Sequence, residues 1–92
     1  MKRPWMPMYW GDFQAKTSHL STEECGAYLL LISHYWCHGS VPQTQLTRSR
    51  AARLSLKKWK AIEPIIQAFF DAELRHSRID EEIEKSTKIS AK

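Results

Sequence analysis

Apolar residues recur at helical spacing over most of this chain, and the strongest pattern lies in its first half. Cys25, Tyr28, Leu29, Ile32, Tyr35 and Trp36 follow one another at steps of three and four, one stripe of an amphipathic helix. Leu30 and Leu31 lie off that stripe, so a second face is covered and this helix is the central post of the fold. Its start is written in Leu20-Ser21-Thr22-Glu23-Glu24. The Ser21 hydroxyl can take the Glu24 amide while the Glu24 carboxylate reaches back to Ser21, a capping box. The spacing predicts a helix from Thr22 to about His38, a left-handed cap at Gly39 and a turn through Ser40-Val41-Pro42.

Shorter elements flank the post. Trp10 to Thr17 predicts a short helix with Asp12 favourably placed in its first turn. Roughly Thr44 to Arg53 reads as another, with Leu46 and Ala52 inward and its three arginines largely outward. After Leu54, Ser55 caps a further helix carrying Trp59, Ile62, Ile66 and Phe69, which Pro64 should kink or split. The Phe69-Phe70 pair then anchors in the core, and Ala72 to His76 has room for at most a tight hairpin, with no glycine to turn it. Arg78 to Lys85 predicts a last helix that buries Ile79 and Ile83, and residues 86–92 form a polar, frayed tail. The fold class is mainly α: one small helix-turn-helix domain over residues 1–85, with at most a short β-hairpin.

The amino-terminal run Pro4-Trp5-Met6-Pro7-Met8-Tyr9-Trp10-Gly11-Asp12-Phe13 adds an arm to this core. It holds four of the ten aromatic residues. Rings this dense do not all face water in a small protein, so the arm is expected to fold back over Tyr28, Tyr35 and Trp36, with Met6 and Met8 as filler. The competing reading is that exposed rings stack on single-stranded bases. The run has neither the apolar length nor the cleavage pattern of a signal peptide.

Composition narrows the class. A chain of 92 residues that is 42% hydrophobic and carries four tryptophans is a folded globule of one domain. Its longest apolar run, Ala27 to Ile32, cannot span a bilayer, and two cysteines make no disulfide framework. Placed on one helix, Cys25 and Cys37 would stand about 18 Å apart. The expected compartment is cytoplasmic, with no membrane partner.

Charge changes the picture most. The net charge is +4, but Cys25 to Ile62 contains no acid and carries Arg48, Arg50, Arg53, Lys57, Lys58 and Lys60. That segment holds +6 and the remainder −2. Leu46 to Phe70 has the shape of helix, tight turn, helix, a unit whose second helix presents its early turns to DNA. Lys57, Lys58 and Lys60 occupy those turns, where cations oppose the helix dipole; an external phosphate would offset that cost. These six residues are the candidate DNA-binding site, acting on phosphates more than on bases because the chain has no Asn. The alternative is a solvated basic face on a protein-interaction module.

Other chemistry is thin. His34, Cys37 and His38 share a helix face, but Cys25, His19 and His76 offer no matching pair to complete a zinc site, so no metal is expected. Asp80-Glu81-Glu82 with Glu84 reads as a solvated acidic face. With no phosphate loop, nucleophile elbow or His-Glu-x-x-His pair, neither enzyme activity nor a cofactor is expected.

The arm, His19-Leu20-Ser21, Glu24 to Leu31 and His34-Tyr35-Trp36 resemble the YdaU family of phage- and prophage-associated proteins with a domain of unknown function. The likeness continues through Arg53-Leu54-Ser55, Trp59, Ile62 with Pro64, Phe69-Phe70 and Arg75 to Glu82. It implies a helical domain similar to the winged-helix amino-terminal domains of DnaD-like replisome organisers, serving phage replication initiation. DNA, the replicative helicase or its loader, and a second copy docked through the aromatic arm are the partners it implies.

Overall fold

The computed structural model describes residues 5–90, which form five helices and no strand. They are α1 (Trp10–Thr17), α2 (Thr22–His38), α3 (Gln45–Ala51), α4 (Leu56–Gln67) and α5 (Ser77–Ser90). Pro4 of the arm and the last two residues of the tail lie outside the described residues; α5 itself runs past position 85 to Ser90.

Helix α2 is the post, and its ends are set by local chemistry. The Glu24 amide donates to Ser21 Oγ at 3.1 Å and the Ser21 amide donates to Glu24 Oε1 at 2.8 Å, so two orphan donors are satisfied reciprocally. At the other end Gly39 adopts φ +86° and donates its N–H to the Tyr35 carbonyl. Only glycine takes that conformation without steric cost. Between these caps α2 buries Ala27, Tyr28, Leu31, Ile32, Tyr35 and Trp36. Helices α3, α4 and α5 all pack on it. The largest fully buried side chains are Trp59, Tyr35, Leu31 and Ile66; each such burial contributes about 1.5–3 kcal/mol before entropy is counted. Cys25 and Cys37 are both on α2 and both free.

Three expectations are corrected and a fourth, the fold-back of the arm, is borne out in part, with Phe13 stacked on Tyr28. Leu46 is 47% exposed, and the inward position on α3 belongs to Ser49, whose hydroxyl donates to the Leu46 carbonyl at 2.7 Å. Gln45, Arg48, Ser49 and Ala52 form the buried and half-buried stripe of this segment, and Leu46 lies off it. Helix α4 runs unsplit through Pro64, whose exposed position lets water serve the carbonyl that its ring leaves without a donor. Residues 71–76 form a turn instead of a hairpin. Asp71 Oδ1 accepts the Glu73 and Arg75 amides, and Leu74 takes φ +60°. The arm packs through Met6, Met8 and Phe13, while Trp5, Tyr9 and Trp10 stay 71%, 56% and 59% exposed. Alternation in an extended segment explains this: with Met6 and Met8 turned inward, Trp5 and Tyr9 must face out.

Candidate nucleic-acid interface

Helices α3 and α4 form the corner that carries the six candidate cations. Thr44 opens α3 with its own box: its hydroxyl accepts the Thr47 amide, and the Thr44 amide donates to Thr47 Oγ1, both at 3.1 Å. The helix closes in a Schellman arrangement, with Arg53 N–H on the Arg50 carbonyl at 3.0 Å and Leu54 N–H on the Ser49 carbonyl at 2.9 Å. That motif puts Arg53 at φ +61°, a position that favours glycine. Two residues later Ser55 caps α4 by accepting the Lys58 amide at 3.2 Å.

A buried polar chain locks the two helices at a set angle. Trp59 Nε1 donates to Gln45 Oε1 at 2.9 Å, Gln45 Nε2 donates to Glu63, and Arg48 Nε donates to the other Glu63 oxygen at 3.2 Å. Arg48 also donates to the Pro42 carbonyl at 3.0 Å. With its side chain 11% exposed and Glu63 13% exposed, Arg48 is an internal strut, not an outward cation. Lys58 is also partly committed, standing 3.7 Å from Glu23 at the start of α2. Arg50, Arg53, Lys57 and Lys60 are exposed and have no ion-pair partner among the described residues. Lys57 and Lys60 are one turn apart on the solvent face of α4, the face opposite Trp59, Ile62 and Ile66.

A second polar cluster, invisible in the sequence pattern, ties the 71–80 segment to α2. Tyr35 donates its hydroxyl to Asp80 Oδ1, Arg75 Nη2 meets the same oxygen at 2.6 Å, and Arg75 Nη1 donates to the Gly39 carbonyl at 2.9 Å. Tyr28 Oη lies 3.1 Å from His76 Nε2. Burial pushes the Tyr28 hydroxyl up to about 12. Tyr35 also rises to about 12, through burial first and then its bond to Asp80. Burial, seconded by nearby Lys16, lowers the His76 pKa below its ordinary 6.5. Asp80 and Glu82 are therefore inward members of what reads as a solvated acidic run, and only Glu81 and Glu84 face out. His34 and His38 have ring centroids 4.3 Å apart, with His34 Nδ1 on the Ser40 carbonyl at 3.1 Å.

Fold and site together define a small helical domain with a basic corner where α3 gives way to α4. The chain belongs to the family described as "Protein of unknown function (DUF1376)", which matches residues 4–84. It is 44% identical over 96 aligned residues to an "Uncharacterized protein YdaU" of Escherichia coli (strain K12), an alignment covering 96% of this chain. The chain spans about a third of that relative's length, 33%. No solved structure matches it. Among the described residues no helix is long and apolar enough to cross a membrane.

Proposed function

We propose that this domain binds duplex DNA, mainly through phosphates, with a winged-helix-like placement of α4 in phage or prophage replication initiation. The observation that supports it most is the set Arg50, Arg53, Lys57 and Lys60: four exposed cations on one helix-turn-helix corner, without carboxylate partners among the described residues. Arg53 adds a separate argument. A side chain held at φ +61° costs stability that glycine would not, and strain of this kind is retained where the side chain has work elsewhere. Arg48 drops out of the direct contacts and becomes the residue that fixes the corner's angle; Lys58 contributes after releasing Glu23. About four phosphate contacts should give a log–log salt slope of roughly −4 on duplex DNA.

The test is a titration of duplex and single-stranded oligonucleotides at two salt concentrations, with the double reversal Lys57→Glu and Lys60→Glu alongside. Reversal is expected to abolish measurable binding and leave the melting temperature nearly unchanged, since neither side chain packs on the core. A salt-independent affinity, or binding that survives the reversal, eliminates the proposal.

A second reading has its own support. Trp5, Tyr9 and Trp10 are each exposed, on the arm and at the start of α1, and such rings are enriched at protein interfaces. On this reading the domain is a docking or dimerisation module of a replication complex, pairing with a second copy through the arm or meeting a helicase or its loader. Sedimentation of the chain against a Trp5→Ala, Trp10→Ala variant separates the two. A dimer lost on that substitution supports arm-mediated pairing and leaves α4 open for DNA.

A further inference from the structure

A shallow open depression adjoins the basic corner where the carboxyl end of α2 meets α3, with His34, Gln43, Thr44, Thr47 and Arg50 on its walls. Among the described residues no Asp or Glu lines it. Its threonines and its glutamine are spent on the fold. The Thr44 and Thr47 hydroxyls lie 2.7 Å apart in the cap of α3, and Gln43 Nε2 donates to the Val41 carbonyl at 3.0 Å. Two kinds of group remain for a ligand. Arg50 is exposed without an ion-pair partner among the described residues, and His34 stands with His38, their ring centroids 4.3 Å apart.

The neutral His34 ring has only one possible tautomer here. Its Nδ1 lies 3.1 Å from the Ser40 carbonyl, which can only accept, so Nδ1 carries the hydrogen. Nε2 then bears a lone pair and has no hydrogen-bond partner among the described residues. A phosphate oxygen is an acceptor as well, so the neutral ring cannot bond one. The imidazolium can, because both of its nitrogens donate. The charges around His34 make that proton depend on an anion. The carbonyl end of α2 favours a positive charge, whereas Arg50, facing from α3, and a charged His38 would oppose it. Cys37 is the other titratable neighbour on this turn of α2. The remaining cations nearby are already matched: Arg48, at the Pro42 carbonyl, by Glu63, and Arg75, at the Gly39 carbonyl, by Asp80. An anion seated between Arg50 and His34 turns their mutual repulsion into two attractions.

We infer that DNA bound at the α3–α4 corner continues over α3 into this depression, where one backbone phosphate is held between Arg50 and a protonated His34, so that binding takes up a proton. Continuity selects the occupant, since Arg50 belongs both to the open cations of the corner and to the wall of the depression. This contact rests on the DNA-binding reading above and adds a pH dependence that Lys57 and Lys60 do not supply.

The test is a fluorescein-labelled duplex oligonucleotide titrated with the whole chain at one salt concentration, at about pH 7.5 and about pH 6.0. Circular dichroism checks that each variant is folded at both. The unaltered chain is expected to bind about fivefold tighter at the lower pH. His34→Asn should lose that rise and match the unaltered chain at the higher pH; asparagine can keep the donor to Ser40 but lacks the outer nitrogen. His76→Gln, away from the depression, should keep the rise, and Arg50→Gln should weaken binding at both pH values. Calorimetry in two buffers of different ionisation heat reads the proton directly: net uptake on binding, absent in His34→Asn. Salt-dependent binding that the Lys57 and Lys60 reversal removes, but with equal affinity at the two pH values, overturns this inference alone. So does a rise that survives His34→Asn, or polyglutamate binding more tightly than the duplex with the same pH dependence. No duplex binding at either pH overturns the DNA-binding reading with it.

Discussion

The α3–α4 corner and the arm–α5 side are both rich in Lys and Arg, yet they reach different electrostatic states. Along residues 75–85 three cations and four acids share one short stretch. Arg75 meets Asp80 five residues on, and Lys85 meets Glu82 three residues back. Pairing there is local, each pair closing within five residues. The corner has no acid within its own helices before Glu63. Its pairs must come from tertiary contact, and they come twice: Glu63 crosses from α4 to Arg48, and Glu23 reaches Lys58 from α2. Segregation along the chain is therefore what leaves four cations open, and the two exceptions divide by burial. The Arg48–Glu63 pair is shielded and holds the fold, whereas the exposed Lys58–Glu23 pair contributes at most a few tenths of a kcal/mol.

Removing the buried strut is the strongest challenge to that division. Arg48→Ala leaves Glu63 without its cation inside the α3–α4 contact, which should cost about 2 kcal/mol by urea unfolding. DNA affinity, measured where the variant remains folded, should change little if Arg48 is internal; a loss as large as that of the Lys57 and Lys60 reversal would return Arg48 to the binding surface. A gain of about 1 kcal/mol is expected from Arg53→Gly, because glycine relieves the left-handed backbone. The same variant should bind DNA more weakly. More stability with full affinity would show that the arginine does nothing that glycine cannot.

The smallest effect belongs to the arm–α5 side. Burial disfavours the charged His76 ring, so its folded pKa lies below the unfolded value of 6.5. On acidification the unfolded chain takes up the proton first. The ring's contribution is therefore complete above about pH 6.5 and declines as the pH falls below it. Lys16 and Arg78 reinforce the shift, Asp80 opposes it, and the Ile79 N–H that donates to Nδ1 is the partner lost if the ring charges as a double donor. The urea midpoint should be lower at about pH 5.5 than at about pH 7.5, with a shallower fall in His76→Gln. An equal fall in both would assign the pH response to other groups.

Helix positions, caps and the post-like α2 were legible in the chain because each depends on neighbours within four residues. Ser21 with Glu24, Gly39 and Ser55 act where they stand. The same locality let the basic segment and its lack of acids be read directly. Which way each charged or aromatic side chain points is a different kind of fact. Arg48 turned inward because Glu63 waits across an interface fifteen residues away, and Asp80 turned inward because Tyr35 does. Trp5 and Tyr9 face water because the two methionines between them fill the inner wall of the arm. Hydrophobic periodicity reports how much surface a helix buries; it carries no record of the partner that a polar group will meet. That partner is set by packing between distant segments, and here packing separates the cations that hold the corner together from those left to meet a ligand.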